Sequence, residues 1–398
     1  MNITTRQLVQ SIHDCPTRFV MVTSGAGTTA LSDLLGVGGA SRTLLEAVVP
    51  YSQSATDDFL GQAPEQYVAA KTARLLAGRA YTRARWLDAA NAASDDRLDR
   101  ATIMGVACTA AIASDRPKRG DHRAHIAIWH PNCLYETTIT LAKGKRDRSE
   151  EESLVSHIIL NRIAQACELG IRLPDHFHDE DQLATAVHHF ASAAQQLHAE
   201  DITFFCVEAD GQIETSHSER KDGYPKAIVS GSFNPLHEGH LGIAKAAEEI
   251  LGAPVTFELS AFNVDKPPIP PATVLNRIAQ FAGRHPICIS NAPTYQQKAR
   301  LYPGATFAIG YDTAVRVFDP QYYQDSMEQV DAALSEIRER GCHFLVAGRL
   351  DQEGVFRGLD NIQIPDEYLD LFAEIPETRF RRDVSSTTLR ETGGQGSR

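Results

Sequence analysis

From Ala227 onward the chain repeats one pattern: a short apolar run, a polar loop, then a stretch with helical spacing. Strands are expected at 227–230, 255–260, 287–290, 306–309 and 343–347. Helices are expected at 239–251, 273–282, 296–301, 311–318 and 327–340, with a last one at 385–391. This alternation admits few folds. Parallel neighbours need a crossover that returns the chain, usually a helix, and helices then cover both faces of the sheet. Such sheets bind ligands beyond the carboxyl ends of their strands, where loops meet helix N-termini.

The first half is alanine-rich and less regular. Strands are expected at 18–24, 47–51, 103–109 and 125–129, and helices at 28–35, 64–78 and 150–169. The stretch 172–222 reads as a connection. It holds a helix near 183–197, a strand-like run at 202–208 and a polar segment ending near 222. A chain of 398 residues normally divides into two domains. The expected fold class is α/β in two domains, over 1–171 and 223–398, joined by 172–222, with a parallel sheet in the second.

A net charge of −12 opposes a general nucleic-acid binder, which needs basic surface to displace counterions from phosphates. The seven cysteines are odd in number and none pair as C-x-x-C. They are expected to be reduced thiols in a cytoplasmic protein without a structural metal site. His176, His178, His188 and His189 sit in polar surroundings and read as solvated residues, not as metal ligands. The start of the chain lacks an apolar signal core, and no run approaches the ~20 apolar residues of a membrane span. Neither nucleic acid nor membrane is an expected partner.

The densest chemical signal is Gly231-Ser232-Phe233-Asn234-Pro235-Leu236-His237-Glu238-Gly239-His240, which follows a strand and opens a helix. Glycine lets backbone approach a phosphate, and a helix start offers N–H donors and a positive dipole end. Two histidines three apart share one side of a first helical turn and can address one phosphoryl group. A second signal, Val384-Ser385-Ser386-Thr387-Thr388-Leu389-Arg390, places hydroxyls and a cation at another helix start. There Ser386, Thr387 and Arg390 are candidates for holding the β- and γ-phosphates. Lys266, in a proline-rich loop, is either a further phosphate contact or an exposed loop lysine.

The first two motifs together resemble the nucleotidyltransferase superfamily with the H-x-G-H signature, whose later segment reads I-S-S-T-x-x-R. Within it the opening Gly231 to Pro235 is similar to nicotinamide or nicotinate mononucleotide adenylyltransferases. Phe307-Ala308-Ile309-Gly310-Tyr311-Asp312 looks like that family's G-x-D segment. The resemblance implies a Rossmann-like domain with ATP and a pyridine mononucleotide as substrates and Mg²⁺ accompanying ATP. His237 and His240 would be catalytic. Gly231, Ser232, Phe233, Lys266, Gly310, Asp312, Ser386, Thr387 and Arg390 would hold ATP and its phosphates. The family's tryptophan after G-x-D is missing; Tyr322 or Tyr323 stands nearby and either stacks on a pyridine ring or belongs to the core or surface. Another phosphorylated acceptor, CTP in place of ATP, and a non-catalytic regulator stay open as alternatives.

Residues of about 5–170 resemble the CinA C-terminal family, which includes nicotinamide mononucleotide deamidases. Thr23 to Thr28 stands where that family has E-S-C-T-G-G, and Val49 to Thr56 where it has V-x-Y-S-N-x-x-K. Gly105 to Ala113, the run at 125–129 and the helix after Lys145-Arg146 follow its later elements. The resemblance implies a serine nucleophile, Ser24, assisted by Tyr51 and a lysine. Thr56 occupies the lysine position, and Ser114-Asp115 replaces a glycine-proline turn. A serine needs a nearby base to become a nucleophile, and threonine is not one. Ser24 and Tyr51 are therefore expected as a vestigial amidase site, and self-association, common in that family, is expected as well.

Overall fold

The computed structural model describes residues 3–92, 101–115, 119–216, 223–264, 267–351 and 354–380. The chain forms two compact units. The first takes the residues up to Ala191 with Glu208–Ile213 and Ile278–Arg284; the second takes Ser192–Val207, Glu214–Arg277 and the residues from His285 on. The expected connection at 172–222 therefore supplies strands to both sheets. No helix among the described residues is long and apolar enough to cross a membrane.

The first unit is built on a mixed sheet of β1 (Thr17–Ser24), β2 (Leu44–Val48), β3 (Thr102–Ala111), β4 (His122–His130), β5 (Cys133–Leu141) and β6 (Gln182–His188). Their spatial order is β2-β1-β3-β4-β5-β6. The first three run parallel and the remaining pairs antiparallel. The helices are α1 (Thr5–His13), α2 (Thr28–Gly36), α3 (Ala40–Thr43), α4 (Gln53–Leu60), α5 (Ala70–Ala92) and α6 (Arg148–Ala166); α7 (Phe190–His198) begins in this unit and falls mostly in the second. Alternation along β3 sends Met104, Val106 and Cys108 into one core with Leu8, Leu34 and Ile159 of α1, α2 and α6. The other face of β3 meets α5. Gly105 permits that approach, since a Cβ there would lie 2.1 Å from the Ala77 carbonyl oxygen.

Three sequence expectations need correction here. β2 lies three residues earlier than expected, α5 starts at Ala70, and β6 replaces the first part of a predicted helix. The alanines at 184 and 186 fit either spacing, and pairing with β5 decides for strand.

The second unit carries β7 (Phe204–Val207), β8 (Ile213–Glu214), β9 (Ala227–Ser230), β10 (Val255–Ser260), β11 (Ile287–Ser290), β12 (Thr306–Gly310), β13 (His343–Ala347), the small hairpin β14 (Arg349–Leu350) and β15 (Phe356–Arg357), and β16 (Phe372–Ile375). The sheet order is β16-β13-β12-β9-β10-β11-β7-β8. From β16 to β11 all neighbours are parallel; β7 joins antiparallel. The helices are α8 (Glu238–Leu251), α9 (Pro271–Ile278), α10 (Tyr295–Leu301), α11 (Tyr311–Arg316) and α12 (Met327–Glu339). All five predicted strands and their five helices are present at nearly the expected positions. The helix expected at 385–391 lies outside the described residues.

One cysteine expectation is overturned. Cys206 of β7 and Cys288 of β11 are direct cross-strand partners and form a disulfide, while Cys15, Cys108, Cys133, Cys167 and Cys342 are free. The two are 82 residues apart, so only the strand pairing reveals them. Cysteine number thus gives no argument for a reducing compartment.

A buried polar cluster ties the first unit together. Arg74 of α5, 6% exposed, donates to Asp210 at 2.5 Å and to Glu136 of β5 at 2.7 Å. Removing the cation leaves two carboxylates without their partner in low dielectric. Arg74→Met is expected to lower stability by about 3–5 kcal/mol in urea unfolding. Adding Asp210→Asn and Glu136→Gln to that variant should recover much of the loss. A single variant as stable as wild type would show that the cluster is not holding the unit.

Candidate active site

Strands β10 and β11 extend the second sheet to one side of β9, and β12 and β13 extend it to the other. The connections therefore leave β9 and β12 in opposite directions and open a crevice beyond their carboxyl ends. The loop 231–237 follows β9, and Gly310 with α11 follows β12. The register Ala227↔Thr306 to Val229↔Ala308 sets these two loops side by side. Two of the three sequence motifs thus meet at the switch point of the sheet.

His237 is the N-cap of α8 and is 6% exposed. Its Nδ1 accepts the Gly239 N–H at 3.1 Å. His240 lies one turn on, and its Nδ1 accepts the His237 N–H at 3.3 Å. The rings stack with centroids 3.8 Å apart and planes 28° from parallel. A backbone amide can only donate, so each Nδ1 is an acceptor and each neutral ring carries its proton on Nε2. Burial lowers the pKa of His237, partly countered by Glu238. Burial, together with the His237 ring, pushes His240 down to about 3. Two neutral imidazoles therefore present Nε2–H donors from one helix start.

The loop before them is held from below and from the side. The Gly231 N–H donates to the Glu258 carbonyl of β10 at 3.0 Å. A Cβ on Gly231 would lie 2.7 Å from the Phe233 ring. Phe233 has φ +45°, a left-handed conformation that costs a residue with a side chain of order 1–3 kcal/mol. Its fully buried ring offsets that cost by packing edge-on to His240 and Phe257, with centroids at 5.0 and 5.6 Å. Ser232 is exposed, and its carbonyl accepts from Arg277 of α9. Under the loop the buried Glu258 carboxylate accepts from Lys298 of α10 at 2.7 and 2.8 Å and from Ser290 at 2.6 Å.

Gly310 is the N-cap of α11, and Asp312 in its first turn pairs with Arg349. Asp312 is thus one arm of an ion pair at the crevice. Tyr323 is 7% exposed within the hydrophobic core, where burial pushes its hydroxyl up to about 12, so it takes the core reading and not the ring-stacking one. Tyr322 is a partly buried residue packed against the same core. Lys266, Ser386, Thr387 and Arg390 lie outside the described residues. The described chain ends at Phe380, whose ring sits where a Cβ on Gly242 of α8 would be, at 2.3 Å. Arg277, Arg349 and the Glu258–Lys298 pair were not singled out by sequence; their partners lie 37 to 45 residues away, and no local motif marks them.

In the first unit Ser24, Tyr51 and Thr56 line one cavity of about 270 Å³, with Tyr67, Thr109 and Arg148. Thr56 Oγ1 donates to the Pro50 and Ser52 carbonyls at 3.0 and 3.2 Å. Arg148 donates to the Ala113 and Gly25 carbonyls. Among the described residues the lining thus offers hydroxyls, the Gln53 amide and a guanidinium, with no carboxylate, imidazole or amine to accept a proton from Ser24. Among the described residues no group of three or more His, Cys, Asp or Glu side chains could hold a metal ion.

The depressed His240 pKa has a stability consequence. The unfolded imidazole takes a proton near pH 6.5, the folded one only near 3. Between those values the unfolded state holds the extra proton, so stability falls as pH falls. Between pH 7 and pH 5 the wild type should lose about 2 kcal/mol more than His240→Gln in urea unfolding. Equal losses would show that His240 is not held neutral by the fold.

Residues 228–392 match the family model described as Cytidylyltransferase-like. No curated protein matches the chain. Among solved structures the chain is similar to the competence/damage inducible protein CihA from Agrobacterium tumefaciens, at 20% identity and TM-score 0.29, covering 42% of this chain and 96% of that one. It is similar to a competence-damaged protein (CinA) superfamily protein from Escherichia coli at 16% identity and TM-score 0.32, covering 41% and 90%. A CinA superfamily protein from Enterobacter cloacae matches at 14% identity and TM-score 0.31, covering 42% and 94%. The matched segment 228–392 begins in β9 and takes in the stacked histidines and both crevice loops, so the likeness to cytidylyltransferase-like proteins of the nucleotidyltransferase superfamily covers the candidate site.

Proposed function

We propose that the second unit transfers an adenylyl group from MgATP to nicotinamide or nicotinate mononucleotide, releasing pyrophosphate and forming NAD or its deamido form. The observation that carries this reading is the pair of stacked, neutral imidazoles at the start of α8, each with Nδ1 held by a backbone amide. The acceptor phosphate oxygen attacks the α-phosphorus in line, the bond from that phosphorus to the α,β-bridging oxygen breaks, and pyrophosphate leaves with that electron pair. The nucleophile is already an anion, so the protein needs no covalent intermediate. Its work is alignment and stabilisation of charge on the α-phosphoryl oxygens. Two Nε2–H donors and the N-terminal end of α8 supply that stabilisation. Gly231 leaves room for the Phe233 ring that backs the loop, and Ser386, Thr387 and Arg390 take the departing end of ATP. The magnesium ion is part of the MgATP substrate, and no step is assigned to it.

The acceptor rests on the sequence resemblance: the Gly231 to Pro235 opening and a first half that resembles a pyridine-mononucleotide deamidase family. The family description favours one second reading, cytidylyl transfer from CTP. In the first unit the lost lysine and the hydrogen-bonded Thr56 support a cavity that does not hydrolyse amides.

Pyrophosphate release separates these readings. The protein is given MgATP or MgCTP with nicotinamide or nicotinate mononucleotide, each pair separately. Release with ATP and either mononucleotide is the expected result. Release only with CTP would transfer the assignment to cytidylyl chemistry, and binding of ATP without release for either acceptor would make the domain a sensor. His240→Ala and His237→Ala should each reduce turnover by about 10²–10³-fold, the size of one lost oxyanion donor, while the protein stays folded. Unchanged turnover in both would remove the histidines from the mechanism.

A further inference from the structure

We infer that Cys15 and Cys167 form a thiol-exchange site in the first unit, which a glutathione-type disulfide converts to a reversible protein disulfide. Cys15 lies in the turn between α1 and β1, and Cys167 is the C-cap of α6. The two side chains meet thiol to thiol. Cys15 Sγ also donates to the Ser11 carbonyl at 3.3 Å, and Cys167 Sγ to Thr17 Oγ1 at 3.7 Å. Thr17 is two residues past Cys15, so both sulfurs are held at the same turn. Packing fixes the turn against the helix end: Leu8, Val9 and Ile12 of α1 share one core with Ile159, Ile163 and Ala166 of α6.

Exposure sets this pair apart. Cys108, Cys133 and Cys342 are buried, and so are both halves of the Cys206–Cys288 disulfide, whereas Cys15 and Cys167 are each half-buried. Asp14, Pro16, Gln165 and Glu168 around them are exposed, so the pair lies at the surface. The thiolate is the nucleophile in exchange. Burial raises both thiols and pushes Cys167 up to about 12. Cys15, the less deeply buried, therefore attacks first. It gives its proton to water, its sulfur bonds to one glutathione sulfur, and the other glutathione leaves as a thiolate and takes up a proton. Cys167 then loses its proton and attacks the Cys15 sulfur, and the second glutathione leaves in the same way. One disulfide is consumed, one is formed, and two glutathione thiols are released. Part of what raises Cys167 is the Cys15 thiolate beside it, and the first step removes that charge. The product is uncharged, so the burial that opposes both thiolates does not oppose it.

The test treats the folded full chain with excess glutathione disulfide, blocks the remaining thiols, and reads the digest by mass spectrometry. A peptide pair linked through Cys15 and Cys167 is the expected product, and excess reduced glutathione should remove it. Cys167→Ser lacks the resolving thiol and should stop with one glutathione on Cys15. Cys15→Ser should stay largely unmodified over the same time. Each variant changes a single atom, and circular dichroism should show the same fold in both. A wild type without the link, or one that keeps glutathione on Cys15, would overturn the proposal. So would a link that forms only after unfolding in urea, or Cys108, Cys133 and Cys342 reacting as fast as the pair.

Discussion

The geometry of the second unit's candidate site turns on a reciprocal cap. His237 accepts from Gly239, and His240 accepts from the His237 amide. A serine or aspartate would cap this helix as well in energetic terms. Imidazole caps through Nδ1 and carries its remaining proton on Nε2, on the far side of the ring. The same two bonds set tautomer and orientation, which matter most for a group that must donate towards a developing charge. What surrounds the cap serves to keep it rigid. Phe233 accepts an unfavourable backbone angle so that its ring can sit against His240. The buried Glu258–Lys298 pair braces the strand whose carbonyl receives Gly231. Breaking a buried pair costs more than forming it returns, so its worth here is better read as fixed geometry than as net stability.

This half was the more legible in sequence. Its central strands are buried on both faces and show as continuous apolar runs, and its helices are amphipathic. Gly231 to His240 could be placed at a strand-to-helix turn before any coordinates. What the sequence did not reveal were contacts between distant segments: Arg277 on the Ser232 carbonyl, Arg349 on Asp312, Lys298 on Glu258, Cys206 on Cys288. Each involves an ordinary residue type with no local pattern. Tyr323 shows the converse, an aromatic whose position in sequence suited a ligand and whose burial assigns it to the core.

The first half was harder to read for a physical reason. β5 carries Glu136 and three threonines among its apolar residues, because one of its faces holds the Arg74 cluster and the other the core. β6 is exposed on both faces, so neither face imposes a hydrophobic period. Alanine-rich strands of that kind are mistaken for helix. Even so, the residues aligned with an amidase site do converge: Ser24, Tyr51 and Thr56 line one cavity. At the position aligned with the family's lysine stands a hydroxyl that donates to the Pro50 and Ser52 carbonyls just ahead of α4.

The two units also differ in how they treat the helix that follows the first strand of the parallel part of a sheet. In the first, the amides of Gly27 and Thr29 at the start of α2 donate to the Glu152 carboxylate at 3.0–3.1 Å, and Ala30 donates to Ser156. An anionic side chain thus occupies the position an anionic ligand would take, and its charge repels another. In the second, the start of α8 is capped by two neutral rings that add donors without adding negative charge. The same fold element is met by a carboxylate in one unit and by two neutral rings beside the exposed Glu238 in the other. That contrast, more than the count of histidines, is why phosphate chemistry is assigned to α8 and not to α2.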